Sequence, residues 1–284
     1  MRKIKDALSL IRFSHSIFAL PFALSAMLVA AKGVPSLKIF LLILVAMVTG
    51  RSAAMAFNRW TDAAMDARNP RTQIREIPQG KLSRTFALGL TIFMSALFIL
   101  TTYFLNPLCF TLAPMALLIL FFYSYTKRFT PLCHFFVGLA LGISPVGAWI
   151  AVTGQWAWPP VFLGLAILFW VGGFDIIYAT QDYEFDKKEG LHSIPARLGI
   201  PLALKLSALS HLLTLVFFSI FGSVTGLNIY YFAGILLIAL FLAYEHFIVK
   251  ADDLSKVNAA FFQANGIISV LFLVSVALSL TVAP

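Results

Sequence analysis

The stretch Asn58-Arg-Trp-Thr-Asp62-Ala-Ala-Met-Asp66 closes an apolar run that begins near residue 37. A run of about 20 apolar residues can cross a membrane as a helix, so this stretch is predicted to form the last turns of such a helix. Each helical residue advances by about 100°, so residues spaced by four share one face. Two carboxylates and an amide on one face of a membrane helix are costly unless a cation binds them. Oxygen ligands of this kind favour Mg²⁺, which usually binds together with a phosphate-bearing substrate.

A second acidic stretch, Asp175-Ile-Ile-Tyr178-Ala-Thr-Gln-Asp182-Tyr-Glu-Phe-Asp186, also ends an apolar run. On a continuous α-helix Asp175 and Asp182 are nearly eclipsed, and Asp186 follows one turn later on the same face. If the ends of the two helices face each other, their aspartates form a negative pocket, and we expect divalent metal to fill it.

The composition indicates a protein surrounded mostly by lipid. Of 284 residues, 60% are hydrophobic and only 12% are charged, and the mean hydropathy is +0.91. A soluble domain would carry about 25% charged residues. The net charge of +9 could suggest nucleic acid, but a basic bias of cytoplasmic loops explains it better, so we expect no nucleic-acid partner. The basic start leads into an apolar run that is too long for a cleavable signal peptide.

The apolar runs predict an all-α, polytopic membrane protein with nine transmembrane helices, in a single integral-membrane domain over residues 1–284. The predicted spans are 13–31, 37–58, 84–104, 107–125, 135–153, 161–182, 202–221, 230–249 and 258–280. Basic residues collect in alternate loops, while the opposite loops carry only Lys32 and Lys38. The N-terminus is therefore predicted in the cytoplasm and Pro284 outside. All 12 acidic residues lie on, or nearest to, the cytoplasmic side, so the chemistry is expected there.

Two long loops, at about 67–83 and 187–201, follow directly after the acidic stretches and carry several cations together with Gly and Pro. Cations beside a metal-filled carboxylate pocket suit a diphosphate, whose oxygens they share with the metal. Arg51 lies seven residues before Asn58 and so shares its helix face at depth. A buried Arg needs an anion, and the candidates are an acceptor carboxylate or one of the aspartates.

At these residues the chain resembles the UbiA superfamily of intramembrane aromatic prenyltransferases. The resemblance rests on Asn-x3-Asp-x3-Asp at 58–66, Asn-Pro-Arg-Thr-x2-Arg at 69–75, Asp-x2-Tyr-Ala-x2-Asp-x3-Asp at 175–186, and Tyr123-Ser-Tyr125-Thr-Lys127-Arg128. The opening residues 11–22 resemble the bacterial branch that prenylates 4-hydroxybenzoate. Some members of that branch are thought to prenylate a dihydroxynaphthoate for menaquinone synthesis instead.

The resemblance implies a UbiA-type helical bundle in the inner membrane and an Mg²⁺-dependent enzyme of quinone biosynthesis. Such an enzyme moves a polyprenyl group from a polyprenyl diphosphate, whose tail lies among membrane lipid, to an aromatic acid. Two Mg²⁺ ions would be held, in part through water, by Asn58, Asp62, Asp66, Asp182 and Asp186. Asp175 and Tyr178 would line the reaction centre and complete the catalytic set with the four metal-binding aspartates. The diphosphate would contact Arg68, Arg71, Arg75 and Lys127, and the acceptor would contact Arg51 and Arg128.

Two alternatives remain open from the sequence. A secondary transporter also uses intramembrane carboxylates, but it predicts ionisable groups near the midplane and polar residues on both faces. Within the enzyme class, the acceptor could be 1,4-dihydroxy-6-naphthoate, a haem, a chlorophyllide or a glycerol phosphate instead of 4-hydroxybenzoate.

Overall fold

A computed structural model describes residues 6–7, 9–11, 19–259 and 265–282, and within these residues the regular structure is helical, without strands. An isolated bridge joins Lys250 and Asp253. The helices are α1 (Leu20–Ala31), α2 (Leu37–Arg68), α3 (Arg84–Leu105), α4 (Pro107–Thr126), α5 (Cys133–Thr153), α6 (Pro159–Ala179), α7 (Tyr183–Lys188), α8 (Ile194–Leu198), α9 (Ile200–Thr225), α10 (Ile229–Ile248), α11 (Val257–Ala259) and α12 (Asn265–Thr281). A short 3₁₀ turn, Thr180–Asp182, connects α6 to α7.

Seven helical segments are long and apolar enough to cross a membrane: α2, α3, α4, α5, α9, α10 and the continuous run Pro159–Lys188. Two shorter apolar helices, α1 and α12, correspond to the first and last predicted spans. Parts of those two spans, 13–18 and 260–264, lie outside the described residues. The prediction of an all-helical polytopic membrane protein is thus confirmed, and the count of nine spans stays a prediction.

The chain divides into two compact units, of which the first is Met1–Ser16 with Lys38–Tyr125. In this unit α2 packs against α3 and α4. A Cβ on Gly50 of α2 would lie 3.2 Å from the Phe98 ring of α3, so the two helices come close there. The Phe57 ring contacts those of Phe121 and Tyr125 on α4, in a tilted and an edge-to-face arrangement with centroids 4.5 and 5.9 Å away. These contacts fix the helix that carries the first acidic motif.

The second unit is Ile17–Leu37 with Thr126–Pro284, and an aromatic core joins its helices. Phe22 of α1 contacts Trp170 of α6, Phe218 of α9 and Phe272 of α12, with ring centroids 5.1, 5.9 and 5.0 Å away. All four side chains are fully buried. The core therefore holds α6, the helix that leads into the second acidic motif.

The two acidic motifs differ in local structure. The first lies in the last turns of α2, as predicted, because α2 continues without a break to Arg68. The prediction of one continuous α-helix through the second motif was wrong, since α6 ends at Ala179 and a 3₁₀ turn follows. The Thr180 hydroxyl donates to the carbonyl of Ile177, three residues back, at 2.7 Å. An ideal 3₁₀ turn adds about 20° per residue, so three such residues would rotate Asp182 by about 60° relative to Asp175 from its position on a regular α-helix.

Candidate functional site

The first motif places an amide against a buried carboxylate. The side-chain Nδ2 of Asn58 donates to Oδ2 of Asp62 at 3.1 Å, one helical turn later, which confirms that they share a face. Asp62 is 2% exposed. Asn58 accepts at Oδ1 from Arg59, at 3.3 Å, and its Nδ2 also lies 3.4 Å from the hydroxyl of Ser124 on α4. Asn58 therefore orients Asp62. A flip of the Asn58 side-chain amide would exchange Nδ2 and Oδ1, and its oxygen would then face the Asp62 carboxylate.

The last carboxylate of the first motif, Asp66, forms an ion pair with the loop that follows. Arg75 donates from Nη1 to Oδ1 of Asp66 at 2.7 Å, while the hydroxyl of Thr72 donates to the Asp66 carbonyl at 3.2 Å. Asp66 is 4% exposed, and its Oδ2 is buried without a hydrogen-bond partner. A buried carboxylate oxygen in this state is costly unless a cation or donor reaches it.

Tight turns in the loop bring Arg75 to Asp66. The side-chain oxygen of Asn69 accepts a hydrogen bond from the backbone N–H of Arg71 at 2.9 Å. The backbone carbonyl of Asn69 accepts one from the backbone N–H of Thr72 at 3.0 Å. The backbone N–H of Arg75 then donates to the Thr72 carbonyl. Of the other predicted diphosphate contacts in this loop, Arg68 is exposed and Arg71 is half-buried. The loop thus directs Arg75 at the acidic motif.

Two arginines and a tyrosine lie near one another on α2 and α4. Arg51 is half-buried, its Nε is buried without a hydrogen-bond partner, and Tyr123 of α4 interacts with it electrostatically. None of the described carboxylates forms an ion pair with Arg51, although neutralisation of an aspartate was one of its two expected roles. Arg59, which is 5% exposed, also interacts electrostatically with Tyr123. This arrangement leaves Arg51 suited to an anion from outside the chain.

In the second motif, Asp175 pairs with a histidine of α5. Nδ1 of His134 lies 2.7 Å from Oδ2 of Asp175, and 28% of the Asp175 side chain remains exposed. Tyr178 and Asp182 are half-buried, and Tyr178 packs beside the buried cluster of Ile177, Val249 and Val257. The motif therefore presents Asp175 with one oxygen bound and the side chain partly accessible.

The third aspartate of this motif, Asp186 on α7, contacts the loop that follows. The backbone N–H of Leu191 donates to the Asp186 carbonyl at 2.8 Å, and the side chains of Ser193, Lys127 and Asp182 lie close enough to interact with the Asp186 carboxylate. The carbonyl of Lys127 accepts from the backbone N–H of His192 at 2.8 Å. Lys127, a predicted diphosphate contact, thus lies beside this motif, whereas Arg128 next to it is exposed.

The donor atoms of the first motif fit a hard cation such as Mg²⁺. Asn58, Asp62 and Asp66 offer only oxygen ligands once the amide turns, and Asp66 keeps one buried oxygen unpaired. Within the described ranges, no three His, Cys, Asp or Glu side chains form a closed metal cage. A cation there would complete its shell with water and substrate oxygens, which is how Mg²⁺ is usually bound.

Sequence reasoning missed three residues of these two networks: Arg59, His134 and Ser193. Arg59 follows directly after Asn58, and a charged residue inside an acidic motif was a usable signal. Ser193 precedes Ile194-Pro195, a pattern typical of a helix start, and its hydroxyl accepts from Ala196 N–H at 3.3 Å. His134 gave only a weak signal, because it contacts Asp175 across 41 residues of sequence.

Comparison with known proteins gives a consistent result. A profile described as the UbiA prenyltransferase family matches residues 19–280. The 4-hydroxybenzoate octaprenyltransferase of Coxiella burnetii (strain CbuK_Q154) is 30% identical over 275 residues, which is 96% of this chain and 96% of that protein. The 4-hydroxybenzoate octaprenyltransferase of Vibrio campbellii (strain ATCC BAA-1116) is 29% identical over 240 residues, 84% of each chain.

Solved structures share the fold over nearly the whole chain. The apo structure of a UbiA homologue from Aeropyrum pernix K1 has a TM-score of 0.85 and 30% identity, covering 93% of this chain and 98% of that one. A UbiA homologue from Archaeoglobus fulgidus bound to DMAPP and Mg²⁺ has a TM-score of 0.74 and 22% identity, covering 98% and 100%. The second likeness supports the fold alone.

Proposed function

Since the chain belongs to the UbiA prenyltransferase family, we propose that it transfers a polyprenyl group from a polyprenyl diphosphate to an aromatic acid. The preferred acceptor is 4-hydroxybenzoate, alkylated at the ring carbon ortho to the phenol, as a step of quinone biosynthesis. The observation that carries this choice is the 30% identity, over 96% of both chains, to the Coxiella burnetii enzyme of that name. The proposed location is the inner membrane, with the N-terminus in the cytoplasm.

The proposed Mg²⁺ ligands are Asn58, Asp62 and Asp66 in the first unit and Asp182 and Asp186 in the second. The all-oxygen donor set and the unpaired, buried Oδ2 of Asp66 support the assignment in the first unit. The presence of Mg²⁺ and DMAPP in the Archaeoglobus fulgidus homologue is consistent with it. When bound, Mg²⁺ supplies positive charge that stabilises a departing diphosphate.

The proposed diphosphate contacts are Arg68, Arg71, Arg75 and Lys127. Arg75 lies within hydrogen-bond distance of Asp66, and Lys127 lies beside Asp186, so each is close to a proposed metal ligand. Guanidinium and ammonium groups form charge-assisted hydrogen bonds with phosphate oxygens. Together they lower the cost of breaking the allylic C–O bond, whose electron pair leaves with the diphosphate.

The proposed acceptor contacts are Arg51 and Arg128, and Asp175 and Tyr178 line the reaction centre. Arg51 is the better supported of the two arginines, because it is half-buried and has no carboxylate partner among the described residues. A carboxylate bound there holds the aromatic ring in one orientation. The π electrons of the ring carbon then form the new C–C bond, and that carbon loses its proton.

The test is an assay of membranes that contain the protein with a polyprenyl diphosphate and either 4-hydroxybenzoate or 1,4-dihydroxy-6-naphthoate. We expect prenylated 4-hydroxybenzoate and released diphosphate in the presence of Mg²⁺, and neither after chelation. Product from the naphthoate alone would keep the reaction and change the acceptor. No product with either acceptor would remove the proposed function, and the transporter alternative would then deserve direct assay.

Two substitutions test the acidic residues. Asp62→Asn and Asp182→Asn keep side-chain volume and remove one ligand charge each, so we expect both to abolish turnover while the protein still reaches the membrane. Glu184→Gln is the matched control, because Glu184 is exposed only two residues after Asp182. Wild-type rates in both Asn variants would refute the site assignment.

A further inference from the structure

His134 is a buried polar residue that the motifs do not include. It is the second residue of α5, is 2% exposed, and uses both ring nitrogens. Nδ1 lies 2.7 Å from Oδ2 of Asp175, and Nε2 lies 3.2 Å from the backbone nitrogen of Ile194. The ring therefore connects α5 to the acidic motif of α6 and to the first residue of α8.

These two contacts determine the protonation of the ring. A backbone N–H can only donate, so Nε2 must accept from Ile194 and carries no proton. The neutral ring then has its proton on Nδ1, which donates to Oδ2 of Asp175. Asp175 accepts this bond as a carboxylate. His134 is a poor base in this arrangement, because its only lone pair is already occupied and the ring is closed to solvent.

The same segment fixes the loop that follows the second motif. The thiol of Cys133 donates to the His192 carbonyl at 3.4 Å, and His134 accepts from the next residue but one, Ile194. Between them, Ser193 lies near the Asp186 carboxylate. His134 thus holds Asp175 to the same loop segment that carries Ser193 beside Asp186.

We propose that His134 is a positioning residue that holds Asp175 as the group that takes the ring proton after prenylation. This inference rests on the proposed function. Once the new C–C bond has formed, the C–H bond at the same ring carbon breaks, its electron pair restores the aromatic ring, and the proton moves to the Asp175 carboxylate. Asp175 is suited to this step because one oxygen is held by His134 while 28% of its side chain stays accessible.

Three variants separate this role from simple packing. His134→Gln keeps one donor for Asp175 and one acceptor for Ile194, and we expect turnover within about threefold of wild type. His134→Leu removes both bonds, and Asp175→Asn removes the base. Each is expected to lower kcat by about 100-fold with little change in KM for the polyprenyl diphosphate. Phe135→Leu is the packing control, since Phe135 is the next residue and packs beside Ile176 and Ile194.

The decisive measurement is the kinetic isotope effect with 4-hydroxybenzoate that carries deuterium at both carbons ortho to the phenol. If proton removal is fast in the wild type, its isotope effect is near unity, and Phe135→Leu and His134→Gln keep that value. His134→Leu and Asp175→Asn make proton removal slow, so their isotope effect rises above about two. If His134→Leu does not reach the membrane, Asp175→Asn and His134→Gln still decide the question.

An isotope effect near unity in Asp175→Asn, or in a His134→Leu protein of reduced rate, overturns the inference and assigns these residues a structural role. An unchanged rate in His134→Leu overturns it as well. Failure of the wild type to prenylate either acceptor would instead refute the proposed function, so the two failures are distinguishable. Should the naphthoate be the acceptor, the deuterium is placed at its reacting carbon.

Discussion

At the scale of single residues, the ion pair of Asp66 and Arg75 has two opposite consequences. Arg75 neutralises Asp66 at 2.7 Å and so competes with a metal ion for that carboxylate. In the proposed reaction the same guanidinium also stabilises the departing diphosphate. We predict that Arg75→Leu lowers the Mg²⁺ concentration for half-maximal rate and lowers kcat by about tenfold, since a hydrogen bond to a charged group contributes about 1.5–3 kcal/mol.

A Mg²⁺ titration of the initial rate measures both effects of Arg75→Leu. Gln73→Leu serves as the control, because Gln73 is an exposed residue of the same loop. Its Mg²⁺ dependence and kcat are expected to match the wild type. A higher Mg²⁺ requirement in Arg75→Leu would contradict competition between the guanidinium and the metal.

Arg51 allows a separate test of acceptor recognition. If Arg51 binds the acceptor carboxylate, Arg51→Leu raises KM for 4-hydroxybenzoate by about 10- to 100-fold and leaves KM for the diphosphate donor unchanged. The methyl ester of 4-hydroxybenzoate lacks the charge, so the variant should use it as well as the wild type does. Equal losses with acid and ester would show that Arg51 has another role. Arg128→Leu, at an exposed position, is expected to have a smaller effect.

Local spacing predicted some of these contacts and not others. The interval of four between Asn58 and Asp62 predicted a shared face, and their side chains are hydrogen bonded at 3.1 Å. Arg75 reaches Asp66 only because turns at Asn69 and Thr72 reverse the loop, and loop paths are poorly determined by composition. The contact of His134 with Asp175 depends on the packing of α5 against α6, which no short motif encodes.

At the scale of elements, α5 and α6 pack backbone to backbone. Gly138 and Gly142 of α5 are spaced by four, and an added Cβ on them would lie 2.2 and 2.5 Å from the carbonyl oxygens of Leu168 and Gly164 on α6. Small residues at this spacing allow membrane helices to approach closely. Because α5 carries His134 and α6 carries Asp175, this close packing also sets the distance between their ends.

We predict that Gly138→Ala lowers the thermal stability of the purified protein in detergent. A methyl group at 2.2 Å from a backbone oxygen forces the two helices apart, and overpacking of this kind costs about 1–3 kcal/mol. Gly147→Ala is the matched control on the same helix, since nothing lies within 4 Å of its added Cβ. Alanine is the better helix former, so Gly147→Ala should be neutral or stabilising. Equal losses of Tm in both variants would argue against the packing explanation.

The 3₁₀ turn between α6 and α7 shows what helical periodicity leaves out. Residues 175–186 contain nothing that excludes a continuous α-helix, so the sequence predicted one. The observed tightening coincides with the Thr180 hydroxyl bonded to the Ile177 carbonyl, a local bond that competes with the regular helix pattern. Thr180 is 2% exposed, so its hydroxyl is shielded from water. The 3₁₀ turn that ends at Asp182 thus begins at Thr180, a buried residue whose hydroxyl is bonded to the backbone of α6.

At the scale of the whole molecule, the helical membrane fold was predictable because apolar length relates directly to bilayer thickness. The predicted runs at 84–104 and 107–125 agree with α3 and α4 to within a few residues. The prediction of a single integral-membrane domain over residues 1–284 stays a prediction, and the chain divides into two compact units. The number of crossings stays a prediction, because α1 has 12 residues and the described part of α12 has 17.

The crossing of α12 decides whether the C-terminus lies outside. Its described part, Asn265–Thr281, has 17 residues and spans about 26 Å at 1.5 Å per residue, close to the ~30 Å apolar core of a bilayer, and residues 260–264 before it lie outside the described residues. Basic residues of the preceding loop, such as Lys250 and Lys256, favour a cytoplasmic position for that loop. We therefore predict that α12 crosses, with Asp252 inside and Thr281 outside.

Single introduced cysteines and a membrane-impermeant maleimide test this topology in right-side-out and inverted vesicles. Gln79→Cys and Asp252→Cys should be labelled from the cytoplasmic side only, and Gln155→Cys and Thr281→Cys from the outer side only, since all four residues are exposed. The native Cys109 and Cys133 are 8% and 6% exposed, so labelling of the unsubstituted chain gives the background.

Labelling of Asp252→Cys and Thr281→Cys from the same side would mean that α12 does not cross. An outer position for Gln79→Cys would instead reverse the orientation, and the acidic motif that precedes it could then no longer be assigned to the cytoplasmic face.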